Sequence, residues 1–258
     1  MKQLKQLKQL LFTAAISSLL VASVTAFAAE TSADLVARAL SHSDRPSEDA
    51  ADDARRMPLE VLAFAGIEAG MTILELEAGT GYYTEILSRT LGANGTVIMQ
   101  NPPAFDGFFG EAVETRLANN RLSNVRLSKT NFDELDVADN SVDMVTWILG
   151  PHELGFEPAE NVSLGDPAES FAEIARVLKP GGVFLAVDHI APANSEIEVG
   201  GTLHRIREGI VTDLAEAAGL EVVRTSNIHK NENDPLDSSV FDPSIQGKTS
   251  KFVVLFRK

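Results

Sequence analysis

The sequence predicts an α/β fold, a doubly wound, mostly parallel seven-stranded sheet with helices on both faces. Two observations point there. Short apolar runs of strand length alternate with helical stretches along most of the chain, which implies parallel strands joined by crossover helices. The first run also ends in an acid and passes through a small glycine turn into a helical pattern, "ILELEAGTGYYTEILSR" over residues 73–89.

The chain opens on a different kind of segment. Lys2, Lys5 and Lys8 precede an uncharged stretch, and Ala26-Phe27-Ala28 offers a small-x-small cleavage site. This is the pattern of a secretory signal peptide over residues 1–28, cut after Ala28. An uncleaved anchor is the alternative, because the uncharged run from Gln9 to Ala29 approaches membrane-spanning length. Its many alanines, serines and threonines favour cleavage, leaving no stable membrane insertion. Cleavage leaves 230 of the 258 residues and removes three lysines and no acid, moving the net charge from −15 to −18. So acidic a chain repels phosphate backbones, which argues against nucleic acid as a partner. With no cysteine there is neither a disulfide framework nor thiolate chemistry.

Residues 29–66 form a helical extension, with a break at Arg45-Pro46, a solvated stretch from Asp49 to Arg56, and buried Leu59, Val61, Leu62 and Phe64. Residues 67–258 carry the alternating pattern. Thr72–Glu77 reads as a strand, and Tyr83, Ile86, Leu87 and Leu91 mark one helix face. Gly95–Asn101 is a second strand, closed by Pro102-Pro103, which a central strand would reject. A helix over Gly110–Arg121 leads to a short strand at Asn124–Leu127, and "DNSVDMVTWIL" supplies a turn and a strand ending at Ile148. Asp166-Pro167 is a cap followed by proline in the first turn of a helix. Phe171, Ile174, Ala175 and Leu178 form its buried stripe, and Lys179-Pro180-Gly181-Gly182 stops it. Val183–His189 is the next strand, Leu203–Ala218 an amphipathic helix, and Glu221–Thr225 and Lys251–Phe256 the last two strands.

In such sheets a ligand sits beyond the carboxyl ends of the strands, where the strand order reverses. The rule gathers Glu75 to Gly81, Asn101, Asn131, Gly150 to Leu154 and Asp188-His189 around one crevice. A dinucleotide is a poor fit, since Thr84 stands where its fingerprint needs a third glycine and the second strand ends in Gln100-Asn101 rather than an acid. A phosphate loop is excluded, because no Gly-Lys-Ser/Thr follows the turn.

Three segments, "ILELEAGTGYYTEIL", "NVRLSKTNFDELDVADNSVDMVTWIL" and "RVLKPGGVFLAVDH", resemble the class I S-adenosylmethionine-dependent methyltransferases from about Gly70 to Phe256. The resemblance implies the Rossmann-like methyltransferase fold, its last strand antiparallel. Both ends of the chain, "HSDRPSEDAADDARRMPLEVLAFAGIEAGM" and "SVFDPSIQGKTSKFVVLFRK", resemble a bacterial subgroup of predicted exported methyltransferases. The family resemblance also implies S-adenosylmethionine as cofactor and a role for each matching residue. Glu75 would orient the turn and the donor's ammonium group. Ala78, Gly79, Thr80 and Gly81 would wrap the methionine part, its carboxylate facing N–H groups at a helix start. Asn101 would meet the ribose hydroxyls, Asn131 the adenine amino group, and Phe132 would pack on the ring.

Three positions depart from the family pattern. Asn101 and Asn131 replace acids, but an asparagine still accepts through its carbonyl oxygen. Glu77 replaces a glycine. A carboxylate about 4 Å from the donor's own would cost roughly 1 kcal/mol in water and ~4 kcal/mol at a protein-like dielectric. The larger figure is nearly a thousandfold in affinity. Turning away, or pairing with a cation, would avoid that cost.

His152, in "LGPHEL", and His189, in "VDH", are placed to meet an acceptor and remove its proton, with Asp188 to fix an imidazole. Both are candidate catalytic residues, although either can simply cap a loop. His204-Arg205 reads as a helix start, and His42 and His229 as surface residues. No histidine pair sits at a helical or hairpin ligand interval, so no metal site is expected from His152, His189 and His204. Tyr83 belongs to the buried stripe and Trp147 to the core. Two functions follow: methyl transfer to a small-molecule acceptor, or a non-catalytic exported ligand-binding protein on the same fold. The sequence sets no oligomeric state.

Overall fold

The strand β1 (Thr72–Leu76) lies at the centre of the structure, a computed structural model that describes residues 30–258. The expected signal peptide therefore lies outside the described residues. The other strands are β2 (Thr96–Gln100), β3 (Val125–Ser128), β4 (Val142–Ile148), β5 (Leu178–His189), β6 (Glu221–Ser226) and β7 (Lys251–Arg257). They form one seven-stranded sheet in the order β3-β2-β1-β4-β5-β7-β6. Only β7 runs against the rest, pairing antiparallel with both β5 and β6. The expected fold, antiparallel last strand included, is the observed one.

The helices are α1 (Ser32–Leu40), α2 (Asp53–Arg56), α3 (Pro58–Ala65), α4 (Tyr82–Leu91), α5 (Asp106–Leu117), α6 (Pro167–Val177), α7 (Gly200–Leu203) and α8 (Glu208–Ala217). Because side chains alternate across a strand, β1 feeds two cores. Leu74 and Leu76 join Val145, Trp147, Phe171 and Phe184 beneath α6 and α8. Ile73 joins Ile86, Val97, Met144 and Leu185 beneath α1, α3 and α4. Burial on both faces explains why these strands read as nearly continuous apolar runs. Glu75 lies on the Ile73 face and so points at α4. The N-terminal extension shares that core through Val36, Ala39, Val61 and Leu62.

Local signals set the helix starts. Thr31 and Asp34 form a reciprocal capping box on α1. Asp166 accepts from the N–H groups of Ala168 and Glu169 at 2.9 and 3.0 Å, with Pro167 opening α6.

Several expectations need correction. No single helix spans 203–218: α7 ends at Leu203, His204 takes φ 54°, and α8 begins at Glu208. Arg205 is not a helix start but is fully buried, bidentate to Asp234 at 3.0 Å on each arm. β5 begins at Leu178 rather than Val183, because Leu178 pairs with Val142 and a register shift accommodates the Pro-Gly-Gly segment. The solvated stretch includes a buried residue, Asp49, which bonds Arg116 at 2.7 and 3.0 Å. His229 is 9% exposed rather than on the surface. Among the described residues, no helix is long and apolar enough to cross a membrane.

Candidate functional site

The strand order reverses between β1 and β4, and a cavity of about 700 Å³ opens there, beyond the carboxyl ends of β1, β4 and β5. That size suits a small-molecule site. One wall is the turn that leaves β1. It is tied to the end of β2: Glu77 N–H donates to Gln100 Oε1 at 2.9 Å, Ala78 N–H to the Gln100 carbonyl at 2.9 Å, and Gly79 N–H to Asn101 Oδ1 at 2.8 Å. Asn101 Nδ2 donates back to the Gly79 carbonyl at 2.9 Å. Gly81 then caps α4 at φ 85°, a left-handed conformation that suits glycine. The first N–H groups of α4 have no carbonyl within the helix to bond, so the cavity meets a helix N-terminus.

Glu75 is buried beneath this turn, where Thr84 Oγ1 donates to its carboxyl at 2.6 Å. Burial pushes its pKa up to about 8, against the lowering effect of Thr84 and the charge of Arg116. Glu77 takes φ 49°, left-handed backbone in which a non-glycine residue carries strain. Its side chain turns away from the start of α4 and accepts from Trp147 Nε1 at 3.3 Å. Burial, reinforced by the Glu153 carboxylate, pushes it strongly toward its neutral form. Gly150 makes room for this contact: a Cβ there would sit 2.2 Å from Trp147 Nε1 and 2.3 Å from Glu77 Oε2.

The opposite wall carries histidines. Asp188, at the end of β5, accepts from the backbone N–H groups of His152 and His189, both at 2.7 Å, and meets His152 Nδ1 at 2.9 Å. Burial alone would lower the His152 pKa, but Asp188 and Glu153 outweigh it and raise it well above the usual range. His189 goes the other way, held neutral by burial and by the nearby Lys251. Its Nδ1 lies 2.7 Å from Thr249 Oγ1. His204 completes the group, its ring 5.4 Å from that of His152.

The cavity walls include Glu75, Glu77, Ala78, Gly79, Thr80, His152 and His189, but not Gly81, Asn101, Asn131 or Phe132. Phe132 is wholly enclosed, with its ring 4.7 Å from Trp147 in the core, so it has no face to offer an adenine. Asn101 is buried and spends its amide on Gly79, holding the turn instead of facing the cavity. Tyr83 is both stripe and wall. Sequence reasoning missed Arg55, Arg56, His229 and Lys251, all cavity residues, and placed Glu153 at the crevice only as part of the 150–154 stretch. Arg56 lies over the Tyr82 ring at 4.6 Å. Burial pushes Lys251 down to about 8, and burial together with Lys251 pushes His229 down to about 4.

Residues 74–186 match the sequence model of a methyltransferase domain. The chain is similar to ubiquinone/menaquinone biosynthesis C-methyltransferases: that of Idiomarina loihiensis is 28% identical over 133 residues, 52% of this chain and 48% of the relative. That of Shewanella halifaxensis is 30% identical over 170 residues, 64% and 62% of the two chains. The chain thus spans about half the length of the first of these curated relatives. In three dimensions it resembles an S-adenosylmethionine-dependent methyltransferase from Aquifex aeolicus, with TM-score 0.58 and 23% identity over 82% of this chain and 97% of the other. At that identity the likeness shows the fold.

Proposed function

We propose that this protein is a class I S-adenosylmethionine-dependent methyltransferase that transfers a methyl group from S-adenosylmethionine to a small-molecule acceptor, as the methyltransferase-domain match over residues 74–186 supports. The observation that carries the reading is the Glu75 carboxyl and residues 77–80 of the turn opening together onto the cavity at the sheet's switch point. The donor supplies an electrophilic methyl group on a sulfonium. The chain's residues fit it. Glu75 receives the ammonium group, and the first N–H groups of α4 receive the carboxylate, with Arg56 adding positive charge on the same wall. Glu77 presents no opposing charge there, because it is turned to Trp147 and driven toward neutrality. Asn101 fixes the turn. His189, neutral and on the facing wall, takes up the acceptor's proton, and the alignment of the two walls supplies the rest of the rate.

Calorimetric titration with S-adenosylmethionine and with its demethylated product, in EDTA, tests the reading. Dissociation constants in the micromolar range are expected. A folded protein that shows no binding at millimolar donor overturns it.

We also propose that the protein acts outside the cytoplasm, as the charge pattern of its first 28 residues supports. Cell fractionation with N-terminal sequencing should recover a chain beginning at Ala29. A cytoplasmic chain that still begins at Met1 would sink the idea.

A further inference from the structure

We propose that His152, Glu153 and His204 form a binding site for a divalent first-row transition metal such as zinc on the wall of the cavity that faces the turn. One ligand atom from each residue lies within 4.8 Å of the others. The His152 Nε2 to Glu153 Oε1 distance is 3.3 Å. A tetrahedral zinc with bonds of about 2.0–2.1 Å requires ligand atoms roughly 3.4 Å apart, so this edge is already set, and the His204 nitrogen, within 4.8 Å of the other two atoms, closes by at most about 1.4 Å. Two imidazoles and a carboxylate are the donor types that zinc takes in sites with three protein ligands. All three residues line the cavity, so a fourth coordination position opens into it.

Independent observations point to a ligand here. Glu153 is 8% exposed, yet its Oε2 is buried with no hydrogen-bond partner, and so is His204 Nδ1. Unpaired buried polar atoms are costly unless something completes them. Two such atoms beside one imidazole make a donor set that a cation satisfies. Behind them, Asp188 holds His152 Nδ1 at 2.9 Å and leaves Nε2 toward Glu153, which is the carboxylate–histidine arrangement that orients metal ligands. Carboxyl oxygens of Glu153 and Asp188 lie 3.3 and 2.9 Å from the two nitrogens of this imidazole.

The backbone is built to hold the set. The turn bearing His152 and Glu153 is pressed against the segment leading to His204, with glycines at the contacts. A Cβ on Gly200 would lie 2.0 Å from the His152 carbonyl oxygen, and one on Gly155 would lie 1.9 Å from that of Ile197. His204 is itself held at φ 54°, its ring edge-on to Phe241 at 4.8 Å.

Untagged protein, stripped with EDTA, is to be titrated with Zn²⁺ and separately with Co²⁺, in excess Mg²⁺ to occupy the acidic surface. One equivalent should bind, micromolar or tighter, with Co²⁺ giving the visible bands of a low-coordinate site. His204→Gln and the near-isosteric Glu153→Gln should each weaken binding at least ~10-fold, and Asp188→Asn by about 10–100-fold. His42→Gln should change nothing. Circular dichroism establishes that each variant is folded, and a single folded ligand variant is enough to decide. Absence of a stoichiometric site, or binding that survives Glu153→Gln unchanged, overturns the proposal. The donor titration is performed in EDTA, so failure of the metal site and failure of the methyltransferase reading are separate results.

Discussion

Replacing Glu85 with alanine is expected to destabilise the protein by about 3–5 kcal/mol, the usual cost of removing one partner from a buried ion pair. Glu85 has no exposed surface. Arg89 bonds one of its oxygens from Nε at 2.7 Å, Arg121 reaches both at 2.5 and 2.9 Å, and Arg116 approaches at 3.4 Å. Without it, three guanidinium groups share one buried corner with Asp49 as the nearest remaining anion for Arg116. The loss extends beyond α4. Arg121 also bonds the Asp44 carbonyl at 2.8 Å, and Arg116 Nε bonds the Thr80 carbonyl at 2.9 Å. One carboxylate thus ties the N-terminal extension and the cavity turn to a single point.

Urea unfolding measures the effect, and at about 2–4 °C per kcal/mol the melting temperature should fall by roughly 10 °C. The pH dependence has a definite sign. Burial alone would raise the Glu85 pKa, but Arg121 and Arg89 outweigh it and lower it. Its contribution is therefore present above the unfolded carboxyl range and lost as pH falls through the lower folded value. The gap between wild type and variant should close in acid. A loss under about 1 kcal/mol at neutral pH would show that the three arginines find other partners.

Local chemistry makes much of this molecule legible. The strands show themselves through burial on both faces, α6 through Asp166-Pro167, and the cavity wall through an acid leading into a glycine turn. What escapes depends on distant partners. Arg205 looks like a helix start because its Asp234 lies in an aperiodic loop, and nothing near either residue signals a buried pair. His229 enters the cavity because the segment between β6 and β7 folds back over it, and Lys251 because β7 pairs it with His189. In the sequence, Glu77 stands where the family pattern has a glycine, and facing the donor, turning away and pairing with a cation are all open to it. Its left-handed backbone, and a neighbouring glycine that lets Trp147 approach, turn it away. His152 and His204 become neighbours only through glycine-to-carbonyl contacts that no linear spacing records.

Glu75→Gln should have the largest effect on donor binding. In the free protein the Glu75 carboxyl is held to about 8 chiefly by burial, so near pH 7 most of it is neutral. An ammonium group beside it favours the ionised form, so donor binding should expel a proton. Calorimetry in buffers of differing ionisation enthalpy should find close to one proton released per donor at pH 7, declining above pH 8 where the carboxyl is already ionised. Glutamine keeps the shape and the contact with Thr84 but cannot ionise. A hydrogen bond to a charged group is worth about 1.5–3 kcal/mol, so affinity should fall roughly 10–150-fold, and the proton release should vanish. Stability moves in the opposite sense. A folded pKa raised above the unfolded one, near 4.5, gives a contribution that is full below that value and lost as pH rises through about 8. The variant should therefore gain on the wild type across that window and hold its gain beyond it. If the variant binds the donor within about twofold of the wild type, with the same proton count, Glu75 is a structural acid and the ammonium group is held elsewhere on the cavity wall.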